Sequence, residues 1–167
     1  MEFRRSTLAD AKDIIKIIKQ AQEYLKSQQV MQWQNNYPNI QVVEQDIKDQ
    51  NGYVIVDDGN VLGTVTLSFD GESTYDKIYE GQWLSDLPYG VVHRIAIHEE
   101  HKGKGISSII MDNIVKMCHD RRIKSIRVDT HEANKSMKKL LQKTGFKYCG
   151  IIYLLDGSKR LAYERLI

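Results

Sequence analysis

The stretch IAIHEEHKGKGISSIIM, from Ile95 to Met111, decides the fold class. It begins as an apolar strand end, passes through a charged connection and continues past two glycines into an apolar helix. Glycines at 103 and 105 leave room for a ligand to approach backbone N–H groups. The N-terminus of the following helix adds unpaired N–H groups and a partial positive charge. This pattern favours a bound phosphate or pyrophosphate over a plain solvated turn.

Two common nucleotide-binding loops do not fit this stretch. A nucleotide-hydrolysing P-loop needs the pattern G-x-x-x-x-G-K-[ST], which the chain lacks. A dinucleotide-binding turn needs G-x-G-x-x-G almost directly after its strand. Here Ser108 replaces the third glycine, and residues 98–102 separate Ile97 from Gly103. The roughly 38 residues after Asp129 are also too few for the rest of that fold.

The same stretch resembles the coenzyme A-binding motif of the GNAT N-acetyltransferases. That family has an IAV-type strand end, a short acidic connection, the pattern R/Q-x-x-G-x-G/A and an apolar helix. Lys102 stands at the Arg/Gln position, Gly105 at the first glycine and Ser107 at the final Gly/Ala. Because the loop binds phosphates mainly through backbone N–H groups, these substitutions keep the required donors.

A second stretch, RVDTHEANKSMKKLLQKTGF, resembles the next GNAT block, N-x-x-A-x-x-L followed by G-F. The matching positions are Asn134, Met137, Leu140 and the pair Gly145-Phe146. Two motifs in the right order are far more specific than either alone. The resemblance covers residues 90 to 150 by motif, and the predicted order of elements fits the rest.

The resemblance implies where coenzyme A would bind. Backbone groups of Ile95 to Ile97 would bond the pantetheine arm and polarise the thioester carbonyl. The pyrophosphate would lie on Lys102 to Ser107, and Asn134 would bond the pantetheine end. The implied cofactor-binding residues are Ile95, Ala96, Ile97, Lys102, Gly103, Lys104, Gly105, Ile106, Ser107, Ser108 and Asn134.

Family members often carry a carboxylate base five residues before the motif asparagine, a position that Asp129 occupies here. Strand alternation places Arg127, Asp129 and His131 on one face. Asp129 and His131 are therefore candidate catalytic residues, and His93 on the neighbouring predicted strand is a third. An alternative is that Asp129 pairs with Arg127 and that both histidines are polar rim residues.

The general acid and the acceptor pocket are less well defined. Leu141 stands where the family often has a tyrosine acid, so the acid stays open. The stretch QQVMQWQNNYP follows the first predicted helix, where this fold shapes its acceptor pocket. Trp33 and Tyr37 are the candidates for substrate contact, with Trp83 and Tyr89 as additions. The alternative is that these aromatic rings anchor loops to the core.

The hydrophobic patterns predict an α/β protein with a mixed, mostly antiparallel central sheet, one parallel strand pair and flanking helices. The GNAT resemblance implies that this parallel pair is splayed. Residues 70–88 have no clear pattern and are expected to cover the fold as a lid. The inner face of the third helix is expected to carry Ile110, Ile114 and Met117. The predicted strands are EFRRS, GVVHRIAI and SIRVDTH, with hairpins at 53–69 and 146–167; the predicted helices span 8–27, 40–50, 106–120 and 134–144.

Length and composition set the remaining expectations. The 167 residues fit a single domain, with 1–90 as the acceptor-side half, 91–150 as the coenzyme A-binding core and 151–167 as the C-terminal hairpin. A net charge of +2 is too small for a dedicated nucleic-acid binder. The chain has no signal-peptide core and no apolar run of the ~20 residues that a membrane helix needs. Cys118 and Cys149 are expected as reduced core thiols of a cytoplasmic protein that uses no metal.

The expected function is transfer of an acetyl group from acetyl-CoA to a primary amine of a small molecule or peptide, by direct attack in a ternary complex. A non-catalytic acyl-CoA-binding regulatory domain is an alternative that Leu141 favours. A structural or nucleic-acid adaptor is a third, and it would have no affinity for the coenzyme. The amine acceptor is the expected partner, and binding to nucleic acid or to a membrane is not expected. A homodimer is left open.

Overall fold

Seven strands and four helices build the fold. The computed structural model describes all 167 residues. The elements in chain order are β1 (Glu2–Arg5), α1 (Ala11–Ser27), α2 (Ile40–Lys48), β2 (Gly52–Asp57), β3 (Asn60–Ser68), β4 (Gly90–Ile97), α3 (Ile106–Asp120), β5 (Ser125–Thr130), α4 (Lys135–Lys143), β6 (Lys147–Tyr153) and β7 (Lys159–Leu166). None of the helices is long and apolar enough to span a membrane.

The strands lie in the order β1-β2-β3-β4-β5-β7-β6 within one sheet. Strands β1 and β2, β2 and β3, β5 and β7, and β6 and β7 pair antiparallel. Strands β4 and β5 pair parallel, and their register covers only Gly90 with Ile126 and Val91 with Arg127. The predicted mixed α/β fold, with its mostly antiparallel sheet and its parallel pair, is therefore confirmed.

The chain packs into two compact units, each with its own set of buried residues. The first unit contains Met1–Leu67 and His93–Asn113, and the second contains Ser68–Val92 and Ile114–Ile167. The proposed functional division into residues 1–90, 91–150 and 151–167 stays a prediction.

The core of the first unit forms where α1 packs on the strands. Ile14, Ile17 and Ile18 are buried at helical spacing, next to Val43 of α2 and Val54 of β2. The helix begins at Ala11 rather than at residue 8, because Leu8–Asp10 forms a 3₁₀ turn first.

The hairpin between β2 and β3 turns at Asp58 and Gly59, as predicted. These residues have φ angles of 48° and 79°, the left-handed values of a two-residue type I′ turn.

Helix α3 contributes buried side chains to the second unit. Ile114 and Cys118 are fully buried, whereas Met117 is only half-buried. Residues three and four apart share a helix face, so Met117 and Cys118 both lie on the side of Ile114, and Cys118 is the more deeply buried. Cys118 and Cys149 are free, buried thiols, and burial raises the pKa of Cys118 to about 11.

A fully buried carboxylate ties the segment after β3 to the strands of the second unit. Glu164 of β7 accepts hydrogen bonds from the Leu84 N–H (2.6 Å), the Ser85 hydroxyl (2.7 Å) and the Ser125 hydroxyl (2.6 Å). Arg127 Nε lies 3.5 Å from the same carboxylate. Residues 84–85 of the expected lid are therefore anchored through a buried charge.

We expect Glu164→Gln to lower the free energy of unfolding by about 3 kcal/mol, because it leaves the Arg127 guanidinium buried without a counter-charge. The amide also presents an NH₂ group to partners that are themselves donors. Urea denaturation at neutral pH measures the change.

Glu132→Gln is the matched control for this prediction. Glu132 forms an ion pair of 3.2 Å with Lys159 that is exposed to solvent, so its loss should leave the urea midpoint unchanged within error. Equal midpoints for the Glu164 variant and the wild-type protein would refute the anchoring role.

Candidate functional site

The glycine loop, Lys102–Gly105, lies in the first unit between the end of β4 and the start of α3. Gly103 and Gly105 have φ angles of 76° and 81°, in the left-handed region that glycine adopts without strain. The N–H groups of both glycines, of Ile106 and of Ser107 donate no hydrogen bond within the chain. Unpaired N–H groups at a helix N-terminus form a site suited to an anionic group such as a phosphate.

The side chains around this loop are polar but not all directed at one point. The Lys102 ammonium lies 4.1 Å from the centre of the Tyr24 ring on α1. Lys104 is exposed, and Ser107 and Ser108 are half-buried. The proposed contacts of these side chains with phosphates stay predictions.

The end of β4 is fixed closely against β3. A Cβ atom at Gly63 would lie 2.8 Å from Ile97 Cδ1 and 3.1 Å from the Ala96 carbonyl oxygen, so only glycine permits this approach. The His98 N–H donates to the Leu62 carbonyl at 2.8 Å. The backbone of the predicted pantetheine-binding residues is thus held in place from one side.

In the second unit, the carboxylate of Asp129 has a buried phenol as its partner. The Tyr75 hydroxyl donates a hydrogen bond of 2.7 Å to Asp129 Oδ2, and Tyr75 is only 1% exposed. Burial, and then the charge of Asp129, raises the pKa of Tyr75 well above its usual value. The phenol therefore stays protonated and orients the carboxylate, which is half-buried.

Arg127, two residues before Asp129, pairs with Glu164 and lies between two aromatic rings. Its guanidinium is 4.1 Å from the ring centres of both Trp83 and Tyr89. The indole N–H of Trp83 donates to the Tyr75 carbonyl at 2.9 Å. These two rings therefore anchor the segment around an internal cation, as the alternative interpretation expected.

The two candidate histidines differ in their surroundings. His131 lies one residue past the end of β5, and its Nδ1 accepts from the Ala133 N–H at 3.0 Å. Burial, and then the positive charge of Arg160, lowers the pKa of His131, so the ring is neutral at pH 7. His93 is half-buried in β4. Catalytic roles for both stay predictions.

Asn134 and Leu141 lie at the N-terminal cap and in the interior of α4, respectively. Asn134 caps this helix, since its Oδ1 accepts from the Met137 N–H at 3.1 Å. Leu141 is fully buried and has no group that donates a proton. The coenzyme contact of Asn134 stays a prediction.

The candidate acceptor residues lie in the first unit. Trp33 is half-buried and packs against the core cluster around α1. Tyr37 is 45% exposed, and its hydroxyl oxygen accepts a hydrogen bond of 3.1 Å from Arg94 Nη1. Their contact with a substrate stays a prediction.

One group of side chains has the composition of a metal site. His98, Glu100 and His101 each offer a ligand atom, and these atoms lie within 4.8 Å of one another. The types match zinc ligands, although the sequence spacing did not single them out. The His98 Nδ1 accepts from the Glu100 N–H at 3.4 Å. The expectation of a metal-free reaction stays a prediction.

The partners of Asp129 and Arg94 could not be predicted from the local sequence. Tyr75 lies 54 residues from Asp129, and no local pattern sets it apart from the other tyrosines. Asp46 pairs with Arg94 over 48 residues. The available signal was Arg94 itself, a charged residue in a mostly apolar strand that requires a partner.

Comparisons with known proteins agree with this architecture. The model of the Acetyltransferase (GNAT) family matches residues 16–146. A GNAT-family acetyltransferase from Streptococcus agalactiae 2603 has a crystal structure that superposes with a TM-score of 0.91. It is 31% identical, and the match covers 99% of this chain and 95% of that one.

Two further matches are more distant. The ribosomal-protein-alanine N-acetyltransferase of Brucella melitensis has a TM-score of 0.72 at 15% identity over 100% of both chains, which shows a shared fold. The S-alkylcysteine N-acetyltransferase of Bacillus subtilis (strain 168) is 25% identical over 111 residues, 65% of this chain and 56% of the relative's own length. Because the family model covers most of the sequence, this chain belongs to the GNAT family of acetyltransferases.

Proposed function

We propose that this protein is an N-acetyltransferase that moves an acetyl group from acetyl-CoA to a primary amine of a small molecule or peptide. The reaction proceeds by direct attack of the amine in a ternary complex. The observation that carries the proposal is the glycine loop, whose unpaired N–H groups at the start of α3 suit the pyrophosphate of coenzyme A.

The residues proposed to hold the coenzyme follow the two motifs. The glycine loop, Ile106, Ser107 and Ser108 bind the pyrophosphate, and the backbone of Ile95–Ile97 bonds the pantetheine arm. Asn134 bonds the far end of that arm. When bound, acetyl-CoA supplies an acetyl group activated as a thioester.

Asp129 is proposed as the general base. A lysine-like amine with a pKa of about 10.4 is almost wholly protonated at pH 7, so it must lose a proton before it attacks. Asp129 accepts that proton, directly or through a water molecule, while the Tyr75 phenol keeps the carboxylate oriented. His131 and His93 are the other candidates for this role.

The proposed acetyl transfer needs no dedicated general acid. The amine nitrogen bonds to the acetyl carbon as the bond from that carbon to sulfur breaks. The backbone N–H groups of Ile95–Ile97 polarise the carbonyl during this step. A thiol has a reference pKa of about 8.5, so the departing thiolate can take its proton from water. Leu141 therefore does not preclude turnover.

The acceptor is proposed to be a compound with a primary amine. The Bacillus subtilis relative is named for acetylation of S-alkylcysteine, which carries a primary α-amine. Trp33 and Tyr37 supply aromatic surface next to the core of the first unit, and a cationic or apolar acceptor would pack on such rings.

The fully buried Leu141 supports one second candidate, an acyl-CoA-binding regulatory domain without turnover. A free-thiol assay with acetyl-CoA and a broad amine panel separates the two. Amine-dependent release of thiol establishes the transferase. Tight coenzyme binding with no release for any amine favours the regulatory domain, and no coenzyme binding at all refutes both.

Gly103→Ala and Gly105→Ala should each weaken acetyl-CoA binding by about tenfold, because an alanine in the left-handed region is strained by roughly 1–2 kcal/mol. The strained loop then presents its N–H groups in altered directions. Isothermal titration calorimetry measures the dissociation constants.

Gly59→Ala is the matched control for the loop variants. Like Gly103 and Gly105, Gly59 has a left-handed φ angle, here 79°, and no heavy atom lies within 4 Å of a Cβ added to it. Unlike them, it lies in the β2–β3 turn. It should lose similar stability and keep its coenzyme affinity. Unchanged affinity in both loop variants would refute the proposed pyrophosphate site.

Asp129→Asn should lower kcat at neutral pH by about 10²-fold or more, the range of general-base contributions, while the dissociation constant of acetyl-CoA stays nearly unchanged. Steady-state kinetics and calorimetry on the same preparation give both values. Tyr75→Phe keeps the carboxylate but removes its donor, so a smaller loss is expected. An unchanged kcat for Asp129→Asn would dismiss this residue as the base.

A further inference from the structure

Arg94 has an unusual backbone conformation for a residue inside a strand. Its φ angle is 50°, and of the non-glycine residues with positive φ it alone lies within a β-strand. Residues with a Cβ atom adopt this region only where the surrounding structure enforces it. Something in the first unit must therefore hold β4 in this kink.

Two nitrogens of the Arg94 guanidinium bind the same carboxylate. Nε donates to Asp46 Oδ2 at 2.7 Å, and Nη2 donates to Asp46 Oδ1 at 2.6 Å. The two side chains are only 17% and 16% exposed, so solvent screens the pair little. A bidentate arginine–carboxylate pair fixes direction as well as distance.

Asp46 is in turn held by a hydrogen bond from β3 and by its position on α2. Its Oδ2 also accepts from the Thr66 hydroxyl of β3 at 2.9 Å. It lies on α2, which Asn39 caps through a 3.1 Å bond from the Val42 N–H and which buries Val43 in the core. The anchor of Arg94 is therefore a packed helix rather than a mobile side chain.

The kink immediately precedes the residues proposed to bind the pantetheine arm. Arg94 is followed directly by Ile95, Ala96 and Ile97, whose N–H and C=O directions depend on the φ angle before them. The register with β5 covers β4 only as far as Val91, so the ladder to β5 does not set these directions.

We propose that the Asp46–Arg94 ion pair holds β4 in its left-handed kink and so positions the backbone of Ile95–Ile97 for the coenzyme. Both residues are positioning residues, since neither is proposed to touch the reacting atoms. The inference rests on the proposed function, because it concerns the coenzyme that this backbone would bind.

Comparison of Arg94→Ala with Arg94→Gly tests the proposal. Both variants lose the ion pair, but glycine adopts a positive φ without strain, whereas alanine does not. Arg94→Ala should weaken acetyl-CoA binding by about tenfold, and Arg94→Gly should recover most of that loss. Calorimetry gives the dissociation constants. Hydrogen exchange at the amides of residues 95–97 should be faster in the alanine variant than in the glycine variant.

Asp46→Asn gives a second, milder variant that keeps the arginine. It should weaken coenzyme binding and speed exchange at residues 95–97, and it should have little further effect in the Arg94→Gly background. Such non-additivity is expected only if both residues act through the same backbone conformation.

Arg4→Ala is the matched control, since Arg4 forms a comparable bidentate pair with Asp10 at 2.9 and 3.0 Å. Arg4 has no positive φ and lies outside the proposed site, so this variant should lose stability without losing coenzyme affinity.

The outcomes distinguish the two proposals. Wild-type protein that does not bind acetyl-CoA would overturn the proposed function, and with it the coenzyme role of the kink. Wild-type binding with equal affinities for the alanine and glycine variants would overturn the positioning role alone. Unchanged binding and exchange in Asp46→Asn would do the same, and this variant decides the matter if Arg94→Ala does not fold.

Discussion

The carboxylate of Glu164 is the constraint on which the second unit depends. A charge with no exposure to water is stable only if donors or a counter-charge surround it, and the chain supplies these from two places. Ser125 and Arg127 come from β5, while Leu84 and Ser85 come from the segment after β3. The requirement to satisfy one buried charge thus fixes where an otherwise irregular segment runs.

That segment also carries Tyr75, and the proposed catalytic carboxylate depends on it. Trp83 connects Tyr75 to the Glu164 network, because its indole N–H donates to the Tyr75 carbonyl while its ring packs on Arg127. The orientation of Asp129 is therefore set by contacts that begin at Glu164, which takes no part in the proposed chemistry. Polar networks of this kind favour one arrangement, since each unsatisfied member would be costly.

The parts of the fold that the sequence predicts are those with local causes. The turn at Asp58 and Gly59 and the glycine loop before α3 depend on residues only a few positions apart. Helix periodicity located α3 correctly at Ile106–Asp120, but the deeper burial of Cys118 compared with Met117 depends on packing. The pairs Tyr75–Asp129 and Asp46–Arg94 join distant positions through side-chain contacts, and a single sequence contains no periodic signal for such contacts.

The two tryptophans are distributed one to each unit, Trp33 in the first and Trp83 in the second. Both are half-buried, and Trp83 lies against a guanidinium whereas Trp33 packs on an apolar cluster. The two indole rings therefore emit from different environments in the folded protein. Replacing either ring with phenylalanine leaves a protein whose tryptophan fluorescence, excited selectively, reports on a single unit, so the order in which the two units lose structure can be followed without an added dye.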